Sequence, residues 1–299
     1  MPAVKPEIPK EVFRQVRAIE IRTQKLVNDI FSGQYQSIFK GRGMEFSHVR
    51  EYQPGDDPKQ IDWNVTARTG HLYTKEFLEE RELTVMILID ASASLFFGTR
   101  KSLKSELAAE LAALLSFSAI RNNDKVGLLI FTDTVERYLP PRKGQRTILR
   151  LIREILTFKP QGHSTDLTIG MEFLGKVLKR KAVCFLISDY LSGSDYMKPL
   201  RILSKKHDLI ALRIQDPLEG RIPVLGRFLW RDVETGQTGM LDLPTKDRTA
   251  EIDQKIKTYF SQWKRKMNKE RVDVIEVTTG EPYASQLLSF FKNRAKRFR

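Results

Sequence analysis

A single cysteine, Cys184, occurs in the 299 residues. That excludes an intrachain disulfide and a cysteine-based zinc site, and it fits a reducing compartment. Long apolar runs are missing too, none approaching the ~18 residues that a bilayer-spanning helix needs. Residues 1–10 are broken by Pro2, Pro6 and Pro9 and contain no apolar core, so they do not form a secretory signal. A soluble, cytoplasmic protein is expected. Histidine is scarce, with four in the chain and none at metal-ligand spacing from another. Neither a glycine-rich phosphate loop nor a Ser/His/Asp or Cys/His constellation is present. Trp63, Trp230 and Trp263 are scattered, which argues against the stacking platform of a single-stranded nucleic-acid binder.

What is present is an ordinary globular composition, 41% hydrophobic and 29% charged, which rules out a chain disordered throughout. The length allows one large domain or two modest ones. Charge is uneven: 51 Lys+Arg against 37 Asp+Glu give a net +14. Residues 1–83 hold 13 of each sign, so the whole excess lies in residues 84–299. Residues 292–299 (KNRAKRFR) carry five of the positive charges and no acid. Such a tail is either a solvated terminus or a contact for an acidic partner.

Residues 11–31 space Phe13, Val16, Ile19, Leu26 and Ile30 as an amphipathic helix. Residues 32–81 are punctuated by glycine and proline and predict irregular or β-rich structure. The texture then changes. Short, nearly continuous apolar runs at 84–89 (TVMILI), 126–131 (VGLLIF), 182–188 (AVCFLIS) and 208–214 (DLIALRI) have the character of strands buried on both faces. Helical periodicity covers 102–120, 145–156 and 167–178, with a hairpin-like stretch around 135–139. A strand at 272–277 and a closing helix at 283–292 complete the series. This alternation predicts a parallel sheet with helices on both faces, and in such sheets ligands bind at the carboxyl ends of the strands. Residues 221–243 interrupt it as an exposed β-hairpin, and 246–271 as a long charged helix. A division therefore falls near residue 83, between an N-terminal helix plus signature region (1–83) and an α/β domain (84–299).

Chemistry should lie just past those strands. The first ends in Asp90-Ala91-Ser92-Ala93-Ser94, a D-x-S-x-S pattern. Alternate positions of a loop can turn one carboxylate and two hydroxyls toward a common point, hard oxygens suited to Mg²⁺ or Mn²⁺. The same residues also serve as helix N-caps. A second loop, 162–167 (GHSTDL), offers Thr165, and a third strand ends in Ser188-Asp189-Tyr190.

In order and spacing these three loops resemble the metal-ion-dependent adhesion site of the von Willebrand factor A domain, over roughly residues 84–291. The resemblance implies a doubly wound, mainly parallel sheet with Asp90, Ser92, Ser94, Thr165 and Asp189 as metal ligands. The serines and the threonine would bind the ion, the aspartates directly or through water, and a partner's Asp or Glu would take the open position. A cation with few protein charges around it stays electrophilic and gains from an outside carboxylate. His163 and Cys184 are weaker candidates, for ligand and nucleophile respectively.

Upstream, Arg50-Glu51-Tyr52, Pro54-Gly55-Asp56-Asp57, Ile61-Asp62-Trp63 and Ala67-Arg68 resemble the signature of a bacterial family catalogued as domain of unknown function 58. The 226–242 segment is similar to that family as well. Family members are commonly encoded beside a MoxR-type AAA+ ATPase, which implies such a motor as partner. Asp56, Asp57 and Asp62, with Arg50 and Arg68 nearby, suit either a second metal site or an ion-pair network, and helix capping is the simpler role for Asp56 or Asp57.

The expected function is a non-enzymatic, metal-dependent protein-interaction module. Two other classes remain open. One is a Mg²⁺-dependent phosphoryl-transfer enzyme using Asp90, although such enzymes usually place a second acid where Ser92 stands. The other is a basic nucleic-acid binder, for which no recognised binding fold is present.

Overall fold

The computed structural model describes residues 10–28, 44–79, 82–96, 98, 103–162, 164–219, 226–231, 237–243 and 246–297. Helix α1 (Lys10–Leu26) is followed by a two-stranded antiparallel unit of β1 (Met44–Glu51) and β2 (Tyr73–Glu79), with a short helix α2 (Trp63–Thr69) between them. The rest of the chain runs β3 (Thr84–Asp90), α3 (Lys104–Arg121), β4 (Lys125–Phe131), β5 (Val135–Arg142), α4 (Gln145–Thr157), α5 (Leu167–Val177), β6 (Val183–Ser188), α6 (Met197–Lys206) and β7 (Asp208–Gln215). A hairpin of β8 (Gly226–Arg231) and β9 (Thr238–Leu243) follows, then α7 (Lys246–Lys269), β10 (Asp273–Thr278) and α8 (Ala284–Arg297).

Six strands form one sheet in the order β10-β7-β6-β3-β4-β5, parallel except for β5, which runs antiparallel to β4 along the edge. Alternation of side chains builds two cores from single strands. Val85, Ile87 and Ile89 of β3 join the core under α1, α3, α4 and α8, whereas Met86 and Leu88 join the one under α5, α6 and α7. Each fully buried aliphatic side chain of this kind contributes about 1.5–3 kcal/mol. The α/β class, the mainly parallel sheet and the helices on both faces are as the sequence predicts. Ile19 and Val27, from the N-terminal segment, sit in the same core as α3 and α4.

The strand order places the site. From β3 the chain moves outward to β4 and β5, then crosses back to β6 on the other side of β3. The carboxyl ends of β3 and β6 therefore flank the point where the winding reverses, the usual ligand crevice of such sheets.

Three elements differ from the sequence expectation. Helix α6 has no counterpart in it, and neither does α2, which lies inside the stretch read as irregular or β-rich. The basic C-terminal segment is largely structure: Arg294, 3% exposed, lies in α8 and is paired with Asp208 and Asp273. The turn at 234–236 lies outside the described residues, and no helix among those described is long and apolar enough to cross a membrane.

Candidate functional site

Strand β3 delivers Asp90 to the crevice almost fully buried. One carboxylate oxygen, Oδ1, accepts from the Ser92 backbone N–H at 3.1 Å, and the other accepts from the Ser188 hydroxyl at 2.6 Å. The chain then enters a 3₁₀ turn, Ala93–Phe96, which sets Ser92 Oγ and Ser94 Oγ 3.0 Å apart. The first loop thus folds as its spacing suggests, with one carboxylate and two hydroxyls together. Burial pushes the Asp90 carboxyl up to about 7. The Asp189 charge pushes the same way, while the bonds from Ser188 and Ser92 pull it down.

The third loop begins at Asp189, also buried. Its Oδ1 accepts from Leu191 N at 3.1 Å, and Oδ2 lies 3.1 Å from Lys104 Nζ. Tyr190 follows with φ +60°, a left-handed conformation that costs a non-glycine residue about 1–3 kcal/mol and holds only where packing enforces it. Here its phenol donates to Leu186 O at 2.8 Å, its N–H donates to Ser188 Oγ at 2.9 Å, and its ring lies 4.8 Å from that of Trp263.

The second loop carries Thr165, mostly buried, one residue before Asp166, which caps α5 by accepting from Thr168 N at 2.9 Å. Ser192 Oγ donates to Thr165 O at 3.1 Å and ties this loop to the third. A latch behind it is centred on Glu136, whose Oε1 accepts from Thr132 Oγ1, Gln161 N and Gly162 N at 3.0, 2.9 and 2.8 Å. A Cβ at Gly162 would stand 2.1 Å from Asp133 Oδ1 and 2.2 Å from Thr132 Oγ1, so only glycine fits this approach. His163 lies outside the described residues.

Ser188 therefore joins the first loop to the third, and Ser192 joins the third to the second. Asp90, Ser92, Ser94 and Asp189 gather at the β3/β6 crevice, and Thr165 stands in the loop bound to it. The donors are two carboxylates and three hydroxyls, a hard-oxygen set that fits Mg²⁺ or Mn²⁺. Among the described residues no three His, Cys, Asp or Glu side chains gather as a metal-ligating group, so an ion held here would carry few protein charges.

Sequence reasoning did not single out Ser188, Lys104 or Glu219 for roles in the site. Lys104 had a readable signal: it lies on the same helical stripe as Ala108, Leu111 and Leu115, all buried, where a lysine is out of place. Elsewhere, Arg50 and Asp56 form a two-pronged pair with both bonds at 2.8 Å. Asp57 caps the 3₁₀ turn Pro58–Gln60, and Asp62 caps α2. That is the ion-pair and capping alternative rather than a metal cluster. Cys184 is a buried core residue whose thiol burial pushes up, away from nucleophile behaviour.

Among solved structures, the protein is similar in fold to BatB from Bacteroides thetaiotaomicron at 17% identity and TM-score 0.48, covering 72% of this chain and 99% of that one. It is also similar to the SpRpn10 VWA domain at 12% identity and TM-score 0.38, covering 69% and 94% of the two chains. These likenesses are loose, and the fold stands on the strand order itself. Among sequences, it is 31% identical over 223 residues to the uncharacterized protein Rv1480 of Mycobacterium tuberculosis, covering 74% of this chain and 70% of that protein. It is 26% identical over 144 residues to the uncharacterized protein YeaD of Bacillus subtilis, of which it spans 34%. Residues 48–259 match the family described as protein of unknown function DUF58, and the chain belongs to that family.

Proposed function

We propose that the protein is a metal-dependent protein-interaction module, in which Asp90, Ser92, Ser94, Thr165 and Asp189 hold Mg²⁺ or Mn²⁺ and a partner protein supplies an Asp or Glu to complete the coordination. It works in the cytoplasm by binding rather than by catalysis. Its partner is a MoxR-type AAA+ ATPase, for which it acts as an adaptor in assembling or activating other protein complexes.

One observation carries the reading. Asp90 is buried at the strand crossover with its two oxygens on Ser188 and Ser92, beside the paired hydroxyls of Ser92 and Ser94. A carboxylate taken out of water at this depth favours a counter-cation. A hydroxyl-rich ligand set leaves that cation under-neutralised, which supports a role in recruiting an outside carboxylate. The ATPase partner follows from the family's gene association.

The test is a pull-down with the tagged protein as bait and its MoxR-type ATPase as prey, in Mg²⁺ and in EDTA. Capture in Mg²⁺, lost in EDTA and lost in Asp90→Ala, is the expected result. Equal capture in EDTA, or by a folded Asp90→Ala variant, would refute the metal dependence.

A further inference from the structure

A fully buried lysine stands at the edge of the candidate site. Lys104 is the first residue of α3 and 0% exposed. Its location opposes two ordinary preferences. Burying an ammonium carries a desolvation cost, and the amino end of a helix repels positive charge. Carboxylates from two other strand ends offset both effects. Nζ lies 3.1 Å from Asp189 Oδ2, and Glu219 grips it from the other side. Glu219 is itself fixed, since its Oε2 accepts from Asp216 N at 3.0 Å. Asp216 is held in turn by Thr279 Oγ1 and Leu218 N, each donating at 3.0 Å. The ammonium is thus clamped by the loops after β6 and β7, and one of its partners is a candidate metal ligand.

Both oxygens of Asp189 are engaged from within the chain, Oδ1 by Leu191 N and Oδ2 by Lys104. A divalent ion must share this carboxylate with an internal cation. We propose that Lys104 is a positioning residue of the metal site: it neutralises and orients Asp189, keeps the site short of negative charge, and so weakens its hold on the ion while leaving the bound ion dependent on a partner's carboxylate. This rests on the metal-dependent reading above and adds to it a residue that sets the affinity.

The experiment is calorimetric titration of the full chain with Mn²⁺ alone, on wild type, on Glu219→Gln, and on the double variant Lys104→Met/Glu219→Gln. The double variant replaces a buried charge pair with neutral groups of similar size, a change that cores often tolerate, and leaves Asp189 un-neutralised. It is expected to bind Mn²⁺ at least tenfold tighter than wild type. Glu219→Gln removes a nearby negative charge and gives the ammonium to Asp189 alone, so it is expected to bind several-fold weaker. Opposite shifts of this kind, or binding by the double variant only, support the proposal. A clamp that is merely structural would lower the melting temperature without moving Mn²⁺ affinity, and equal or weaker binding by a folded double variant overturns the proposal. Should the double variant not fold, equal or tighter binding by Glu219→Gln overturns it on its own. Absence of Mn²⁺ binding in all three proteins would refute the metal-dependent reading itself, a different failure from unchanged affinity.

Discussion

The two ends of the central sheet use buried polar groups in opposite ways. At the amino end, each such group joins the starts of neighbouring strands. Asp124, before β4, accepts from Leu83 N, before β3, at 2.9 Å. His207, before β7, accepts through Nδ1 from Ala182 N, before β6, at 3.2 Å. Arg294 pairs with Asp208 and Asp273, the first residues of β7 and β10. At the carboxyl end, Asp189 and Glu219 share one buried lysine, Asp90 is held by Ser188 and Ser92, and the hydroxyls of Ser92 and Ser94 face one another. One end settles its charges and fastens strands. The other sets two buried aspartates and a pair of hydroxyls side by side at the strand ends, the hard-oxygen donor types that suit a divalent cation.

The contrast can be broken most sharply at the amino end. Arg294→Ala leaves Asp208 and Asp273 without their shared cation, and the expected loss is about 3–5 kcal/mol of unfolding free energy by denaturant titration. Mn²⁺ affinity should not change while the variant remains folded. A large change in affinity with intact stability would invert the comparison.

His207 gives the next effect, read through pH. Burial, aided by the Lys206 charge, lowers it from 6.5 to about 4. The unfolded chain therefore binds the extra proton between those values and the folded protein does not. Its contribution is complete above pH 6.5 and is lost as pH falls toward 4, by up to about 3 kcal/mol. Chemical denaturation across that range should show the slope, and His207→Gln should flatten it.

Gly162→Ala tests the carboxyl end. The added methyl collides with Thr132 and Asp133, and overpacking of this kind costs about 1–3 kcal/mol. Because the latch positions the Thr165 loop, Mn²⁺ binding should weaken along with stability. The smallest effect is expected on the separate β8–β9 hairpin: Leu229 is 74% exposed on β8, and Leu229→Ser should change stability by no more than about 0.5 kcal/mol.

The difference between the ends also explains what could be read from the sequence. The strands were legible because burial on both faces leaves a continuous apolar run, as in 84–89 and 182–188. Helix α6 was not, since only Leu200 and Leu203 of its ten residues are buried and Ile202 points outward. Helix α2 is seven residues long and buries none of them, so it has no periodicity to detect. Around the candidate site, the residue types and their place at strand ends were visible. Ser188 and Ser192 were not, because their roles depend on which loops the strand order brings together. Lys104 was legible as out of place on the buried stripe of α3, but its partners Asp189 and Glu219, 85 and 115 residues away in sequence, were not. Within the basic tail, Lys292, Lys296 and Arg297 are exposed, and only the buried role of Arg294 was hidden for a related reason, since it answers Asp208 and Asp273, which lie 86 and 21 residues away in sequence.

The proposed divalent-cation site at the carboxyl end depends on Asp90. The most direct measurement is calorimetric titration of the intact protein with Mn²⁺, wild type beside Asp90→Ala, with circular dichroism confirming that both are folded. One site per chain in wild type, lost in Asp90→Ala, is the predicted result. The same Mn²⁺ isotherm in both proteins, or no binding by the folded wild type, would contradict it.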